Sequence, residues 1–218
     1  MTAEQAARPR WWLQVRHAFS ERFTLDLDIR ADAPVLGLQG PPRQGASALL
    51  RAVAGAFAPW GGHIEVAGRV LFDRERGVNL SAAQRGAAHL RPAPQLRPLE
   101  TVRSGLSALR PASPRLDIAK IVDALGLAAL LDATVGTLPD AALRRVAVAS
   151  VLAREPAVLL LDEPLAGVGL EFQDAVVEAI ASAREALDAS MLVVCHRDAA
   201  MRRWTETTLR IVGGRVCT

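Results

Sequence analysis

A run of five apolar residues, Ala157–Leu161, is followed at once by Asp162, Glu163 and a proline. A short run of this kind predicts a strand that is buried on both faces, as in a parallel sheet. The carboxyl end of such a strand is the edge where open α/β sheets bind ligands, so two adjacent carboxylates there favour metal and water chemistry. A core strand that simply runs into an acidic turn is the plainer alternative.

Other apolar runs and alternating segments predict the remaining strands. Apolar and polar residues alternate over Trp12–Val15 and Phe23–Ile29, which favours two strands of an antiparallel ribbon. Further strands are predicted at Val35–Leu38, His63–Val66, Arg69–Phe72, Met191–Cys195, Leu209–Val212 and Arg215–Cys217.

Helical periodicity occurs between these strands. One predicted helix follows Ser47 and places Leu49, Leu50, Val53 and Phe57 on one face. Further helices are predicted at Leu116–Leu125, Pro139–Ala153 and Glu171–Leu187, and from Asp198. The segment Arg91–Arg115 is rich in proline and arginine, which predicts an exposed connector without a long regular element. We therefore expect one domain over residues 1–218, with a core at 1–90 and 155–218 and a helical subdomain at about 91–154.

Composition and charge narrow the function classes. The chain has 218 residues, of which 50% are hydrophobic and 22% charged, as in an ordinary globular domain. No apolar run approaches the roughly 20 residues of a membrane-spanning helix, and the N-terminal stretch lacks the apolar segment of a signal peptide, so we expect a cytoplasmic chain. The net charge of +3 is spread over scattered arginines, and only 4% of residues are aromatic, which does not favour nucleic-acid binding.

A glycine-flanked loop separates the strand at 35–38 from the helix that follows it. The loop and the start of the helix read GPPRQGAS over residues 40–47. Strand, glycine-flanked loop and helix, in this order, are the context in which backbone amides and a helix N-terminus bind a phosphate group. The sequence therefore predicts a phosphate-binding loop here.

Taken in order, these pieces resemble the nucleotide-binding subunits of ABC transporters, and most of all the ATP-binding subunit of molybdate importers. The resemblance runs from Trp12 to Val216. It is densest in GRVLFDRERGVNLSAAQRG, residues 68–86, and in VGTLPDAALRRVAVASVLAREPAVLLLDEPLAG, residues 135–167. It implies an α/β ATP-binding cassette of the P-loop NTPase type, with a mixed sheet, an antiparallel ribbon and a helical subdomain, and with ATP and Mg²⁺ as cofactors.

Four residues match the family's chemistry, and their roles here are those that the resemblance implies. Asp162 holds Mg²⁺, usually through water, and the hydroxyl of Ser47 is a further Mg²⁺ ligand. Glu163 orients or deprotonates the attacking water. His196 follows a strand and contacts the γ-phosphate, so Glu163 and His196 are the expected catalytic residues. Each has a structural explanation when taken alone, and their shared order is what implies an inherited site.

The predicted phosphate-binding loop departs from the family's pattern at three positions. Ala46 stands where the family has the lysine that contacts the β- and γ-phosphates. Arg43 occupies a position usually held by glycine, and Pro42 removes an amide hydrogen. Whether the side chain of Arg43 supplies the positive charge that the family's lysine provides stays open. The adenine-stacking position aligns near His17, with Phe19 as a second candidate. The residues expected around the phosphates are Gly40, Arg43, Gly45, Ala46 and Ser47.

Two other motifs of the family are altered. The glutamine of the Q-loop aligns with Pro92, and Gln95, three positions away, replaces it only after a slip of the backbone. The signature LSGGQ reads LPDAA at 138–142. Asp140 there puts a carboxylate at a helix N-terminus where a phosphate should bind. It is expected to act as the N-cap of that helix and to repel the nucleotide.

We therefore expect a nucleotide-responsive subunit of an ABC-type, molybdate-like importer with impaired ATP hydrolysis. It is expected to associate with a transmembrane permease subunit at the inner face of the cell membrane. The alternatives are a catalytically silent partner of a second, intact ATP-binding subunit, and a single-site enzyme that uses the acid pair on another phosphate substrate. We expect no ATP-sandwiched homodimer. Because the sequence ends at Thr218, we also expect no C-terminal oxyanion-binding domain.

Overall fold

The computed structural model describes residues 9–91 and 96–217. These residues form two compact units. The first unit consists of residues 9–87 and 190–217, and the second consists of the described residues among 88–189.

Strands and helices follow the predicted order closely. The strands are β1 Trp11–Ser20, β2 Phe23–Ala31, β3 Val35–Gln39, β4 Gly61–Val66, β5 Arg69–Asp73, β6 Val78–Asn79, β7 Ala87–Leu90, β8 Val158–Asp162, β9 Ser190–Val194, β10 Thr208–Val212 and β11 Arg215–Cys217. The α-helices are α1 Ala46–Val53, α2 Val102–Leu109, α3 Ile118–Ala124, α4 Asp140–Leu152, α5 Gln173–Leu187 and α6 Asp198–Met201. Short 3₁₀ turns occur at Ala82–Arg85, Ala128–Leu130, Val135–Thr137 and Leu170–Phe172. The predicted α/β class is confirmed.

Five strands of the first unit form an antiparallel sheet in the order β2-β1-β4-β5-β6. Alternate residues of β2 lie on opposite faces, so Leu25, Leu27 and Ile29 are at most 2% exposed. Asp26 and Asp28 lie between them and face solvent. The predicted N-terminal ribbon is confirmed, and burial of one face of the strand explains its alternating sequence.

The other strands of the first unit lie in the order β11-β10-β3-β9. Strands β10, β3 and β9 run parallel, and β11 closes the predicted C-terminal ribbon as an antiparallel partner of β10. Strand β3 pairs with β9 from Val35 opposite Met191 to Leu38 opposite Val194. Because β3 and β9 are parallel neighbours, the loop after β3 and His196 after β9 leave the sheet at the same edge.

The second unit contains the neighbouring strands β7 and β8 and the helices α2 to α5. Strand β8 is the predicted apolar strand, with Leu159 and Leu160 fully buried, and it ends at Asp162. Helix α4 confirms the helix predicted over Pro139–Ala153. Nearly all of its residues from Ala142 onwards are buried, which explains why it shows little amphipathic pattern.

The segment Arg91–Arg115, predicted as an exposed connector without a long regular element, contains the eight-residue helix α2. The flanking prolines, Pro98 and Pro111, fall outside the helix. Thr101 is its N-cap, with a side chain that accepts a hydrogen bond from a first-turn amide. Leu106 is 3% exposed. The composition of the whole segment therefore concealed a proline-free stretch with its own cap and buried face.

Helix α1 also ends earlier than predicted, at Val53, so Phe57 lies beyond it. Gly55 follows with a φ of +76°, a conformation that suits glycine at the end of a helix. The guanidinium of Arg85, 1% exposed, donates to the carbonyl oxygens of Ala52 at 2.7 Å and Val53 at 3.0 Å. Burial lowers the pKa of this arginine, but it remains charged. Charge-assisted bonds to the last carbonyls end the helix at this point.

Candidate functional site

The glycine-flanked loop, residues 40–45, joins β3 to α1 and needs glycine at both ends. Gly40 has a φ of +155°, and a Cβ atom there would lie 2.1 Å from the carbonyl oxygen of Ile211. Gly45, the N-cap of α1, has a φ of +117°, and a Cβ atom there would lie 2.7 Å from a methyl group of Leu25. The two glycines therefore allow the loop to pass close to neighbouring strands.

Hydrogen bonds hold the glycine-flanked loop at two points. The amide of Gly214 donates to the carbonyl oxygen of Gln44 at 2.9 Å, and the amide of Gly213 donates to the side chain of the same residue at 2.5 Å. Nδ1 of His196 lies 2.8 Å from the carbonyl oxygen of Gly40. A carbonyl oxygen only accepts, so this contact requires the proton of His196 on Nδ1. His196 was predicted as a site residue because it follows a strand. It is thus hydrogen-bonded to Gly40, the first residue of the loop.

Helix α1 begins with Ala46 and Ser47 at the end of the loop. Ala46 is 9% exposed and Ser47 is half-buried. The helix has no side-chain cap at Gly45 and no acidic residue in its first turn. Its first amides and the positive end of its dipole therefore favour an anion. A methyl group, with no charge, occupies the position of Ala46.

Arg43 lies at the exposed centre of the loop in a left-handed conformation, with a φ of +63°. An L-residue in this region costs roughly 1–2 kcal/mol relative to the right-handed region. Within the described residues, its side chain forms no hydrogen bond or ion pair. Pro42 precedes it and is also exposed. The backbone of the loop therefore has the shape that a glycine would adopt, although the residue at its centre is an arginine.

A cleft of about 240 Å³ opens beside this loop within the first unit. Its lining residues are Phe19, Phe23, Pro41, Arg43, Gln44, Gly45, Ala46, Ser47, Ala48, Arg51 and His196. Two arginines, an imidazole and two aromatic rings contribute to this lining, and no carboxylate does among the described residues. Such a surface suits a ligand that combines a strongly anionic part with a flat ring.

The aromatic residues beside the cleft form a cluster around His17. The ring of His17 lies 4.6 Å from Phe19, 4.7 Å from Phe57 and 5.3 Å from Trp60, measured between ring centroids. Its Nδ1 atom is buried and has no hydrogen-bond partner in the described structure. Phe19 is 41% exposed and lines the cleft, as does Phe23, whereas His17 does not. The cleft therefore presents Phe19, the second candidate of the sequence prediction, more openly than His17.

The acid turn, Asp162–Pro164, lies in the second unit at the end of β8. Asp162 is the last residue of the strand, and Glu163 has a φ of +47°; both side chains are half-buried. The carbonyl oxygens of both acids accept hydrogen bonds from the guanidinium of Arg144, at 3.1 Å and 2.6 Å. Two carboxylates at the carboxyl end of a strand are suited to hold a hydrated cation and to polarise water.

The sequence profile of the ABC transporter family matches residues 24–166 of this chain. The match covers more than half of the chain and includes both the glycine-flanked loop and the acid turn. The chain belongs to the ABC transporter family. The resemblance on which the sequence analysis relied is thereby confirmed.

Relatives and solved structures agree with this assignment. The molybdenum import ATP-binding protein ModC of Rhodospirillum rubrum is 32% identical, over 88% of this chain and 53% of that protein. ModC of Paramagnetospirillum magneticum is also 32% identical, over 89% of this chain and 54% of that protein. The chain spans about half the length of these curated relatives. The solved ATP-binding subunit of an ABC transporter matches with a TM-score of 0.78 and 18% identity, over 95% of this chain and 88% of that one. This likeness shows the ATP-binding-cassette fold.

The signature segment of this ABC-family chain, residues 138–142, lies at the start of α4. Pro139 is the N-cap and Asp140 is the first helical residue, and both are exposed. The prediction that Asp140 caps the helix is therefore wrong. As an acidic residue of the first turn, Asp140 interacts favourably with the positive end of the helix dipole. The carboxylate nevertheless lies at the surface where the family's signature lies.

The Q-loop position of the family falls in a part of the chain that the structure does not describe. Pro92 and Gln95, the residues discussed for the Q-loop, lie outside the described residues.

Sequence reasoning missed Arg51, Phe23 and Arg144. Arg51 is exposed one turn after Ser47, which is a weak signal for a cleft-lining cation. Phe23 gave no sign beyond its place in a strand. Arg144 stands in an almost wholly buried helix, and that context marks an arginine that must have internal partners.

Two features are absent from the described part of the chain. Within residues 9–91 and 96–217, no group of three or more histidine, cysteine or acidic residues is arranged to hold a metal ion. Mg²⁺ usually retains several waters and takes only one or two carboxylates with the phosphates of its substrate. The hydroxyl of Ser47 on the cleft is compatible with such a site. None of the helices in the described segments combines the length and apolar character needed to cross a bilayer.

Proposed function

We propose that the chain is a nucleotide-responsive ATP-binding subunit of an ABC-type importer, and that its hydrolysis of ATP is impaired. The observation that carries this proposal is the glycine-flanked loop, which opens at the N-terminus of α1 onto a cleft of about 240 Å³. The cleft is lined by cations and aromatic rings, which suits a phosphate chain attached to a nucleobase. Membership of the ABC family supports ATP as the nucleotide.

Each candidate residue has a proposed role. The first-turn amides of α1 and the loop hold the phosphates, and the hydroxyl of Ser47 is a ligand of Mg²⁺. Asp162 holds Mg²⁺ through water, and Glu163 orients the attacking water. His196 contacts the γ-phosphate.

For the nucleobase we propose Phe19 as the stacking ring. It lines the cleft and is 41% exposed, so part of its side chain is accessible to a ligand. His17 is packed between Phe19, Phe57 and Trp60. Movement of His17 towards a base would break these contacts, whereas Phe19 needs no such movement. A stack of a base on an aromatic ring tolerates any base because every base has a π face.

Impaired hydrolysis follows from the chemistry of the loop. Ala46 offers no ammonium group to the β- and γ-phosphates, and a hydrogen bond to a charged group contributes about 1.5–3 kcal/mol. Pro42 has no amide hydrogen to donate. Arg43 and Arg51 line the same cleft as cations but start from other positions. We propose that they support weak binding and do not replace a lysine aligned with the transferred phosphate.

The transported solute and the partner follow from the relatives. The ModC proteins named above carry molybdenum import in their names, so we propose a molybdate-like oxyanion as the solute. We further propose a transmembrane permease as the partner, with this chain on its cytoplasmic side.

A catalytically silent role beside an intact ATP-binding subunit is the second candidate. Pro139 and Asp140, both exposed at the start of α4, favour it. The family uses this helix N-terminus to close the partner's nucleotide site. A proline and a carboxylate remove a donor and add a charge that repels phosphate. In a heterodimer with an intact subunit, each composite site would keep one undamaged half.

Titration calorimetry of the purified chain with ATP, in Mg²⁺ and in EDTA, tests the first proposal. We expect micromolar to millimolar binding that Ser47→Ala weakens by about tenfold, since it removes a proposed metal ligand. Turnover is measured in parallel by phosphate release. If the wild type hydrolyses ATP, we expect Glu163→Gln to abolish turnover while leaving binding intact.

Three outcomes are informative. Absence of ATP binding in both Mg²⁺ and EDTA contradicts a nucleotide-responsive subunit and favours the silent partner. Binding that Ser47→Ala leaves unchanged places the nucleotide elsewhere than on α1. Turnover that persists in Glu163→Gln shows that the chemistry does not use the acid turn.

A further inference from the structure

Arg144 is a buried cation that binds three backbone carbonyls of the second unit. The residue is 6% exposed. Nη1 donates to the carbonyl oxygen of Arg91 at 2.7 Å, and Nη2 donates to those of Asp162 at 3.1 Å and Glu163 at 2.6 Å. The guanidinium is a rigid fork with several donors, so one side chain can hold separate segments of backbone at fixed spacing.

The three carbonyls belong to the ends of two neighbouring strands. Arg91 is the first residue after β7, and Asp162 is the last residue of β8. Arg144 therefore connects the backbone at the carboxyl ends of β7 and β8. A glutamine at this position is shorter and has only two donors, and a lysine carries its three donors on a single nitrogen, so neither reproduces the spacing of the fork.

The backbone that Arg144 holds is strained. Glu163 has a φ of +47°, a region that L-residues other than asparagine and aspartate rarely adopt. Such a conformation persists only where its surroundings impose it. The carbonyl oxygen of Glu163 accepts from Arg144 and also from the amide of Ala166 at 3.0 Å. The conformation of the acid turn thus depends on a carbonyl for which Arg144 is one of two donors.

The Arg144 guanidinium also interacts with the acid turn through its charge. Burial lowers the pKa of the Arg144 guanidinium, and the negative charges of Asp162 and Glu163 act in the opposite direction. The arginine stays ionised. A fixed positive charge therefore lies close enough to both carboxylates to interact with them electrostatically.

We propose that Arg144 is a positioning residue that sets the conformation of the acid turn and couples it to the backbone leaving β7. Its consequence for metal and nucleotide rests on the proposed function, while its effect on the acid turn does not. Removal of the guanidinium is expected to remove one hydrogen-bond donor from the carbonyl oxygen of Glu163 and to let Asp162 and Glu163 leave the geometry that their chemistry requires.

Arg145, the next residue of the same helix, is a matched control. It is 8% exposed, and its Nη1 donates to the carbonyl oxygens of Leu125 at 2.6 Å and Gly126 at 3.1 Å. The two arginines share a helix, a degree of burial and a kind of partner, but they hold different backbone segments. A general loss of stability should affect both variants alike, whereas a positioning role should not.

Amide hydrogen exchange, followed by mass spectrometry on the full chain, separates the two. In Arg144→Gln we expect exchange to accelerate by about tenfold or more in a peptide covering residues 162–168, with little change in 125–131. In Arg145→Gln we expect the reverse. Tenfold corresponds to about 1.4 kcal/mol, the scale of one lost hydrogen bond. If Arg144→Gln does not fold, Arg144→Lys keeps the charge but not the fork and should show the same pattern.

A second readout tests the consequence for the ligand. The ratio of ATP affinities in Mg²⁺ and EDTA should fall by several-fold in Arg144→Gln and stay at the wild-type value in Arg145→Gln. Equal acceleration at 162–168 in both variants, or none in either, overturns the positioning role. If the wild type binds no ATP, the proposed function fails, while the exchange experiment still decides the role of Arg144. Accelerated exchange with an unchanged affinity ratio overturns the consequence for metal binding.

Discussion

The glycine-flanked loop and the acid turn have changed in opposite ways. The loop has glycine at Gly40 and Gly45, where a Cβ atom would collide with neighbouring groups, but it has an uncharged methyl group at Ala46. The acid turn keeps both of its charges, and a buried arginine holds its backbone. The shape of the loop depends on contacts with several strands, so a single substitution does not abolish it. The charge at position 46 depends on one side chain, so a single substitution removes it.

The two segments also differ in how they stabilise strain. Arg43 and Glu163 both have positive φ angles, +63° and +47°. The carbonyl oxygen of Glu163 accepts a charge-assisted hydrogen bond at 2.6 Å, whereas the side chain of Arg43 has no hydrogen bond or ion pair within the described residues. The comparison predicts that changes in the loop can be beneficial, while changes in the support of the acid turn are harmful.

The largest expected effect concerns dimerisation, because an ATP-sandwiched homodimer would combine the altered loop with the altered signature segment twice. Asp140 would face the γ-phosphate. Two like charges about 4 Å apart repel by roughly 4 kcal/mol at an effective dielectric constant of about 20, which is about a thousandfold in affinity. We expect a monomer by light scattering at micromolar protein with ATP and Mg²⁺, using Glu163→Gln to prevent turnover.

A nucleotide-dependent dimer under these conditions would contradict this prediction. The variant Asp140→Gly, which removes the charge, serves as the comparison. Nucleotide-dependent dimers that appear only in this variant would identify the carboxylate as the barrier. If neither protein dimerises, the missing lysine and Pro139 are sufficient to prevent it.

Restoring the lysine tests the loop directly and has the next largest effect. Ala46→Lys should raise ATP affinity by about tenfold, since it adds one charge-assisted contact to a loop whose shape is intact. Titration calorimetry measures the change. Ala56→Lys adds the same charge at an exposed position beyond the end of α1 and should change affinity less than twofold. Equal gains in both variants would mean that net charge, and not the contact, is responsible.

Local patterns were sufficient to predict much of this structure. The apolar run before Asp162 predicted β8 and the acids at its end, and the alternation in Phe23–Ile29 predicted β2, because in both cases burial alone dictates the sequence. The glycine-flanked loop was equally visible, since strand, loop and helix are adjacent in the chain. Features of this kind depend on neighbours within a few residues.

The features that were missed depend on distant contacts. Helix α1 stops at Val53 partly because Arg85, 32 residues later, binds its last carbonyls. The support of the acid turn comes from Arg144, 18 residues before Asp162. Neither partnership leaves a periodic signal. The cleft likewise collects Phe23, Arg51 and His196 from separate elements, and only the folded chain brings them to one surface.

The smallest expected effect is on the stability of the loop itself. Arg43→Gly removes a left-handed strain of roughly 1–2 kcal/mol, but glycine increases the entropy of the unfolded chain by about 0.4–1 kcal/mol. The difference predicts a net gain of about 0.8 kcal/mol, the midpoint of a range from about 0 to 1.6 kcal/mol, in the free energy of unfolding, measured from urea midpoints at constant slope. Arg43→Ala keeps the positive φ and removes only the charged side chain, so it should change stability by less than about 0.5 kcal/mol.

If alanine stabilises as much as glycine, the cost at this position comes from repulsion between Arg43 and other cations of the cleft, such as Arg51, and not from the backbone. The shape of the loop would then be unstrained, and the loop would differ from the acid turn in charge alone.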